Sequence, residues 1–142
     1  MDAKTYLSRA VSIEQEITVM LEQLDELKAL AEKTTTALHS AAAGDSSIRR
    51  RMADSVDKMV DLQYRLNDTI DAFVDTKAEI IDTLSKIPNN TMRLILEMRY
   101  LSNKDWDEIC MLLHLSGSRV WKLHAKGLKK IEEILKEDSK VQ

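Results

Sequence analysis

Turn-forming residues are nearly missing from this chain, which has three Gly and one Pro in 142 residues. A strand-rich fold reverses direction every few residues and draws on both types, so their scarcity excludes a sandwich or barrel. Aromatic residues make up only 4% of the chain, too few to wall an ordinary substrate cavity. The single cysteine, Cys110, leaves no internal disulfide and no cysteine-based zinc site. His114 and His124 lack a Cys or a paired carboxylate at ligand spacing, so no metal and no other cofactor is expected. The sequence holds no glycine-rich phosphate loop, no nucleophile elbow and no acid pair with a pocket around it. It therefore reads as a non-enzyme without catalytic residues. Asp2 follows the first methionine, and no apolar run exceeds a handful of residues. Neither a signal peptide nor a membrane span is expected, and the chain is expected to be cytoplasmic and reduced.

What remains is Leu, Ile, Met, Ala, Glu, Lys and Asp, the composition of an all-α, partly coiled-coil protein. The formal net charge of −3 conceals two unlike parts. Residues 1–87 carry 11 Lys/Arg against 16 Asp/Glu, a net of −5, and residues 88–142 carry 10 against 8, a net of +2. The stretch 117–131 contains Arg119, Lys122, Lys126, Lys129 and Lys130 and no acid. A local field of that sign suits a polyanion, whatever the total charge.

The spacing predicts a first helix from Asp2 or Ala3 to about Leu38, with Ile13, Ile17, Met20, Leu24, Leu27 and Ala31 along one seam. The segment from His39 to Ser47 is the turn-like stretch of this half, and Asp45, Ser46 or Ser47 can cap the next helix. That helix should run to about Ile87, where Pro88 blocks it, and should be roughly 60 Å long at 1.5 Å per residue. It carries a seven-residue repeat of Met52, Met59, Leu66, Phe73, Ile80 and Ile87. A weaker register of Val56, Ile70 and Leu84 is interrupted by Gln63 and Lys77. Such a rod needs a partner for its seam: the first helix as an antiparallel hairpin, another copy as a coiled coil, or both. Residues 1–87 are thus read as a helical hairpin or coiled coil that spaces or joins copies, most simply as a homo-oligomer of two chains. Asp54, Asp57, Asp61, Asp68, Asp71 and Asp75 mark its wet face.

After Pro88 the elements shorten. Asn89, Asn90 and Thr91 offer caps for a helix through Leu101, and Ser102, Asn103 and Lys104 connect it onward. Asp105, with Glu108 three residues on, starts a helix over 106–113 in the manner of a capping box. That helix should bury Ile109, Leu112 and Leu113, with Trp106 packed in the core and Cys110 as the small residue at a close crossing. His114 and Leu115 make a turn, and Ser116 caps a helix from Gly117 to about Lys136. The inner face of this last helix holds Val120, Leu123, Leu128 and Ile131. Its outer face presents Ser118, Arg119, Trp121, Lys122, Ala125 and Lys126, with Lys129 and Lys130 further along. A recognition helix meets base edges with its N-terminal residues while nearby cations hold phosphates. The candidate contacts with double-stranded DNA are therefore Ser118, Arg119, Trp121, Lys122, Ala125, Lys126 and Lys129, with Lys104 from the connection. Trp121 can pack on a sugar or a thymine methyl, or serve as a lid on the helix before it.

The run Met98-Arg99-Tyr100-Leu101, then Trp106 to Cys110, Leu115-Ser116, Val120 to His124 and Gly127-Leu128 resembles region 4 of the sigma-70 family. The whole layout is similar to small sigma-like late transcription regulators of phages and prophages of Gram-positive bacteria, the ArpU/RinA-like group. The resemblance implies a helix-turn-helix DNA-binding domain over 88–142, sequence-specific transcription regulation and contact with host RNA polymerase. Two positions depart from the pattern: His114 stands where Gly is usual in the turn, and Gly127 replaces an Ala. No counterpart of sigma region 2 is visible, so an activator or accessory is implied, not a promoter-opening sigma factor.

Two other classes fit less of the sequence. A DNA-packaging adaptor resembling a small terminase subunit also joins such a unit to coiled-coil helices, but with the DNA-binding part first. A protein-interaction module antagonising a regulator has no reason to keep 117–131 free of acid.

Overall fold

In the computed structural model, residues 1–40 and 46–141 are described, and among them the chain is all helix with no strand. Helix α1 spans Ala3–Ser40, α2 Ser46–Ser85, α3 Asn90–Leu96, α4 Trp106–Leu113 and α5 Gly117–Val141. A π-helical turn, Glu97–Leu101, continues α3. Part of the turn expected between His39 and Ser47, with Asp45 as a cap, lies outside the described residues. No described helix is long and apolar enough to cross a membrane.

The helix ends are set by local side chains, as the sequence suggests. Asp2 accepts a hydrogen bond from the Thr5 N–H at 2.7 Å, starting α1. Asn89 accepts from the Met92 N–H at 3.0 Å and Asp105 from the Glu108 N–H at 2.8 Å, starting α3 and α4. The Glu108 carboxylate leaves the capping box half made, because it pairs with Lys104 Nζ at 3.7 Å. Pro88 ends α2, whose last residues tighten as Lys86 and Ile87 donate to the carbonyls of Thr83 and Leu84.

The chain divides into two compact units. One is Glu14–Ala72, the middle of the long helices, and the other joins Met1–Ile13 to Phe73–Gln142. The unit that holds α3, α4 and α5 thus also takes in the start of α1 and the end of α2, residues on the far side of Pro88.

In the unit Glu14–Ala72, Leu24 of α1 packs with Leu62 and Leu66 of α2, surrounded by Ile17, Met20, Leu27 and Met59. The Met59 and Leu66 row expected from the seven-residue repeat faces this core. In this unit the second row is corrected: Val56 and Ile70 are 48% and 38% exposed and Leu62 fills the place beside Leu66 instead, whereas Leu84, the third member of that row, is fully buried in the other unit. Leu62 lies three residues after Met59, so the buried seam follows a 3-4 alternation that the Val56 register misses. The six aspartates Asp54 to Asp75 of the expected wet face are all exposed.

In the other unit, Ala3, Leu7 and Ala10 of α1, Ile80 and Leu84 near the end of α2 and Ile87 just after it form one core with Leu96, Tyr100, Ile131 and Ile134. Here α1 and α2 run in opposite directions, since Tyr6 OH meets Thr83 Oγ1 at 2.8 Å while Arg9 pairs with Glu79. A second cluster lies beside it, where Ile95, Ile109, Val120 and Leu123 knit α3, α4 and α5 together. Gly127 explains itself in this packing. A Cβ there would lie 2.9 Å from Leu96 Cδ1 and 3.1 Å from Met92 Cγ, so the glycine lets α5 approach α3.

Candidate nucleic-acid interface

The connection between α4 and α5 is built by three residues. His114 adopts φ 54° and ψ 44°, the left-handed region that the expected turn requires. Its N–H donates to the Met111 carbonyl at 3.4 Å and the Leu115 N–H to the Cys110 carbonyl at 3.1 Å, closing the helix end in a Schellman motif. Ser116 then accepts from the Arg119 N–H at 3.2 Å and opens α5.

Packing fixes which way α5 faces. Val120, Leu123, Gly127, Ile131 and Ile134 are buried, a 3-4 spacing that commits one side of the helix to the core. The opposite side is left to water. Ser118, Arg119, Trp121, Lys122, Ala125, Lys126 and Lys129 are all exposed on it, so seven of the eight candidate residues share one helix. Arg119, Lys122, Lys126 and Lys129 step by three, four and three residues, a row about 15 Å long at 1.5 Å per residue. None of these four forms an ion pair among the described residues, whereas Lys130 pairs with Glu133 at 3.5 Å. Lys104 stands apart from the row: it precedes α4, is half-buried and turns toward Glu108.

An aromatic group holds α5 from behind. The rings of Trp106 and Trp121 meet edge to face with centroids 5.5 Å apart, and His124 lies 4.7 Å from Trp106 and 5.5 Å from Trp121. Tyr100 stacks on His124 at 5.8 Å, with its hydroxyl 2.8 Å from His124 Nε2. Burial lowers the pKa of His124, with repulsion from Lys4 and Arg99 adding to it, and burial raises that of Tyr100. The pair is thus neutral, a phenol against an uncharged imidazole, and the ring tautomer sets which of the two donates. Arg99 lies over Trp106 at 4.7 Å and donates to the Lys104 carbonyl at 3.0 Å. Trp121 therefore touches the helix before it, as a lid does, while remaining 60% exposed.

Three expectations for α4 change. Leu112 is 49% exposed, because Trp106, Ile109, Cys110 and Leu113 occupy the face turned to the core and Leu112 points about a third of a turn away. Cys110 and Trp106 are half-buried, at the edge of that cluster and not inside it. Sequence reasoning also missed Tyr100 and Arg99 as residues that position α5. The i, i+3 placement of Trp121 and His124 signals an aromatic pair, but nothing in the sequence ties Tyr100 to a histidine 24 residues away.

No family model, characterised protein or solved structure matches this chain.

Proposed function

We propose that the protein is a sequence-specific, sigma-like transcription regulator of phage or prophage type, with α4, the His114 turn and α5 acting as its helix-turn-helix. The observation that carries this reading is the row Arg119, Lys122, Lys126 and Lys129. These cations are exposed, form no ion pair among the described residues, and lie on an acid-free face that begins immediately after a tightly closed turn. Four cations in a row repel one another, and phosphates set against them relieve that repulsion. The first turns of α5 would enter the major groove, with Ser118, Arg119, Trp121 and Lys122 nearest the base edges and Lys126 and Lys129 on the backbone. The aromatic group behind α5 would keep that presentation rigid. Met111 and Leu112, 72% and 49% exposed on α4, support a protein contact next to the DNA face, the role that RNA polymerase would take. The long helices would form the hairpin and coiled-coil arm that joins two copies.

The test is an electrophoretic shift at two salt concentrations, using fragments around the protein's own gene. Wild type should give a discrete shift on one fragment that weakens steeply with salt, with a log–log slope near −0.9 per phosphate held. Arg119→Ala/Lys122→Ala should lose it while keeping the far-ultraviolet spectrum of the folded chain. If no fragment shifts, or the double variant binds as well as wild type, direct DNA reading by α5 is wrong.

A further inference from the structure

Helix α2 carries more apolar residues than its packing uses. Within the unit Glu14–Ala72, Leu62 and Leu66 meet α1, yet Val60 and Ile70 stand 45% and 38% exposed. Steps of three, four and three residues lead from Val60 through Gln63 and Asn67 to Ile70, the spacing of a heptad seam. At about 100° per residue this stripe lies roughly a quarter turn round the helix from the Leu62 and Leu66 face. A face meant only for water has no use for that spacing.

The order of residue types along the stripe names its occupant. Two amides sit at the centre, with one β-branched residue before them and one after. In the sequence the alternation extends outward to Val56 on one side and Val74 on the other. Read from either end, the stripe is the same. Laid antiparallel on a copy of itself, it sets Val60 against Ile70 and Gln63 against Asn67, apolar on apolar and amide on amide. A two-fold interface demands such a self-match, and an unrelated helix does not. Amides inside an otherwise apolar seam also fix register and limit the number of helices that can pair.

We propose that a second copy of this chain docks antiparallel on the Val60, Gln63, Asn67, Ile70 face of α2, about a two-fold axis that meets this face midway between Gln63 and Asn67. This inference rests on the two-copy arm of the reading above and on none of its DNA contacts. It also moves the joint between copies. Met59 and Leu66, members of the seven-residue repeat, are spent inside the chain, and the neighbouring seam is the one left open.

Sedimentation equilibrium of the full chain without DNA tests the proposal. Wild type should show twice the chain mass of 16.2 kDa. Val60→Lys should fall to the single-chain mass with its helical spectrum unchanged, because Val60 does no work in the core of its own chain. Adding Ile70→Glu to that variant should restore association by on the order of tenfold, as the new cation of one copy meets the new carboxylate of the other. A parallel pairing would instead set like charges together, and the double variant would be the weaker of the two. The proposal is overturned if wild type stays at one chain, if Val60→Lys still associates, or if the double variant gains nothing over the single one. Because no DNA is present, each of these results leaves the shift experiment on α5 to be judged separately.

Discussion

At the scale of single residues, Gly127 and His124 show how a local rule can be outvoted. In a helix interior, Gly costs roughly 1 kcal/mol against Ala, so propensity alone recommends Gly127→Ala as a stabilising change. The packing reverses the sign. The new methyl would lie 2.9 Å from Cδ1 of the fully buried Leu96 and 3.1 Å from Met92 Cγ, so packed core side chains must shift to admit it. Overpacking of that kind costs about 1–3 kcal/mol, enough to cancel the propensity gain and leave a net loss of about 1 kcal/mol. A denaturant melt of Gly127→Ala checks this, and a gain in midpoint would mean that α3 and α5 can part cheaply. His124 has its folded pKa below the ordinary 6.5, from burial first. Above 6.5 both folded and unfolded rings are neutral and the full stability is present. As the pH falls from 6.5 toward the folded value, only the unfolded ring takes a proton, and stability is lost. Melts between pH 7.5 and 5 should show that loss, and His124→Gln should flatten the slope. The residue types at both positions are plain in the sequence, but the neighbours that give them meaning lie 31 and 24 positions away.

At the scale of elements, the ends were legible and the facing was only partly so. Asn89, Asp105 and Ser116 start their helices and His114 takes the left-handed turn, because each of these acts on backbone groups within three or four residues. The face of a long helix depends instead on what it meets. Along α2, one row of apolar residues at seven-residue intervals was clear, but the second, read at Val56, Ile70 and Leu84, fails at its first two places, where contact with α1 buries Leu62 instead. The widened turn Glu97–Leu101 left no mark at all. Its sequence, EMRYL, is ordinary helix former, and the Ser102 N–H reaches back to the Glu97 carbonyl at 3.1 Å. The turn's partners are mostly remote in sequence: Tyr100 within it bonds His124, and Met98 packs against the cluster of Ile95, Ile109, Val120 and Leu123. The outward face of α5 was readable in full for the opposite reason. Buried Val120, Leu123, Ile131 and exposed Arg119, Lys122, Lys126 share one helix within fifteen residues of its start, so their periodicity needs no outside reference.

At the scale of the molecule, Pro88 is a boundary for the helix but not for the core. A reading of composition and charge divides the chain there, and the charge does change sign. Yet Leu7, Ile80, Leu84 and Ile87 are fully buried in one cluster with Leu96, Tyr100, Ile131 and Ile134. Each large apolar side chain withdrawn from water contributes about 1.5–3 kcal/mol, and four of them rival the whole stability of a small domain at about 5–15 kcal/mol. A fragment beginning at Pro88 would lose all four and expose the side of α5 that carries Ile131 and Ile134. It should therefore keep some helix by circular dichroism but melt without a cooperative transition. Leu7→Ala in the full chain is the gentler version of the same experiment. It should cost about 2–5 kcal/mol and broaden amide signals in α3 and α5, more than 80 residues further along the chain. If instead the fragment from Pro88 melts as sharply as the whole protein, the first turns of α1 are ornament to that core. Helix α5 would then owe its stability to α3 and α4 alone.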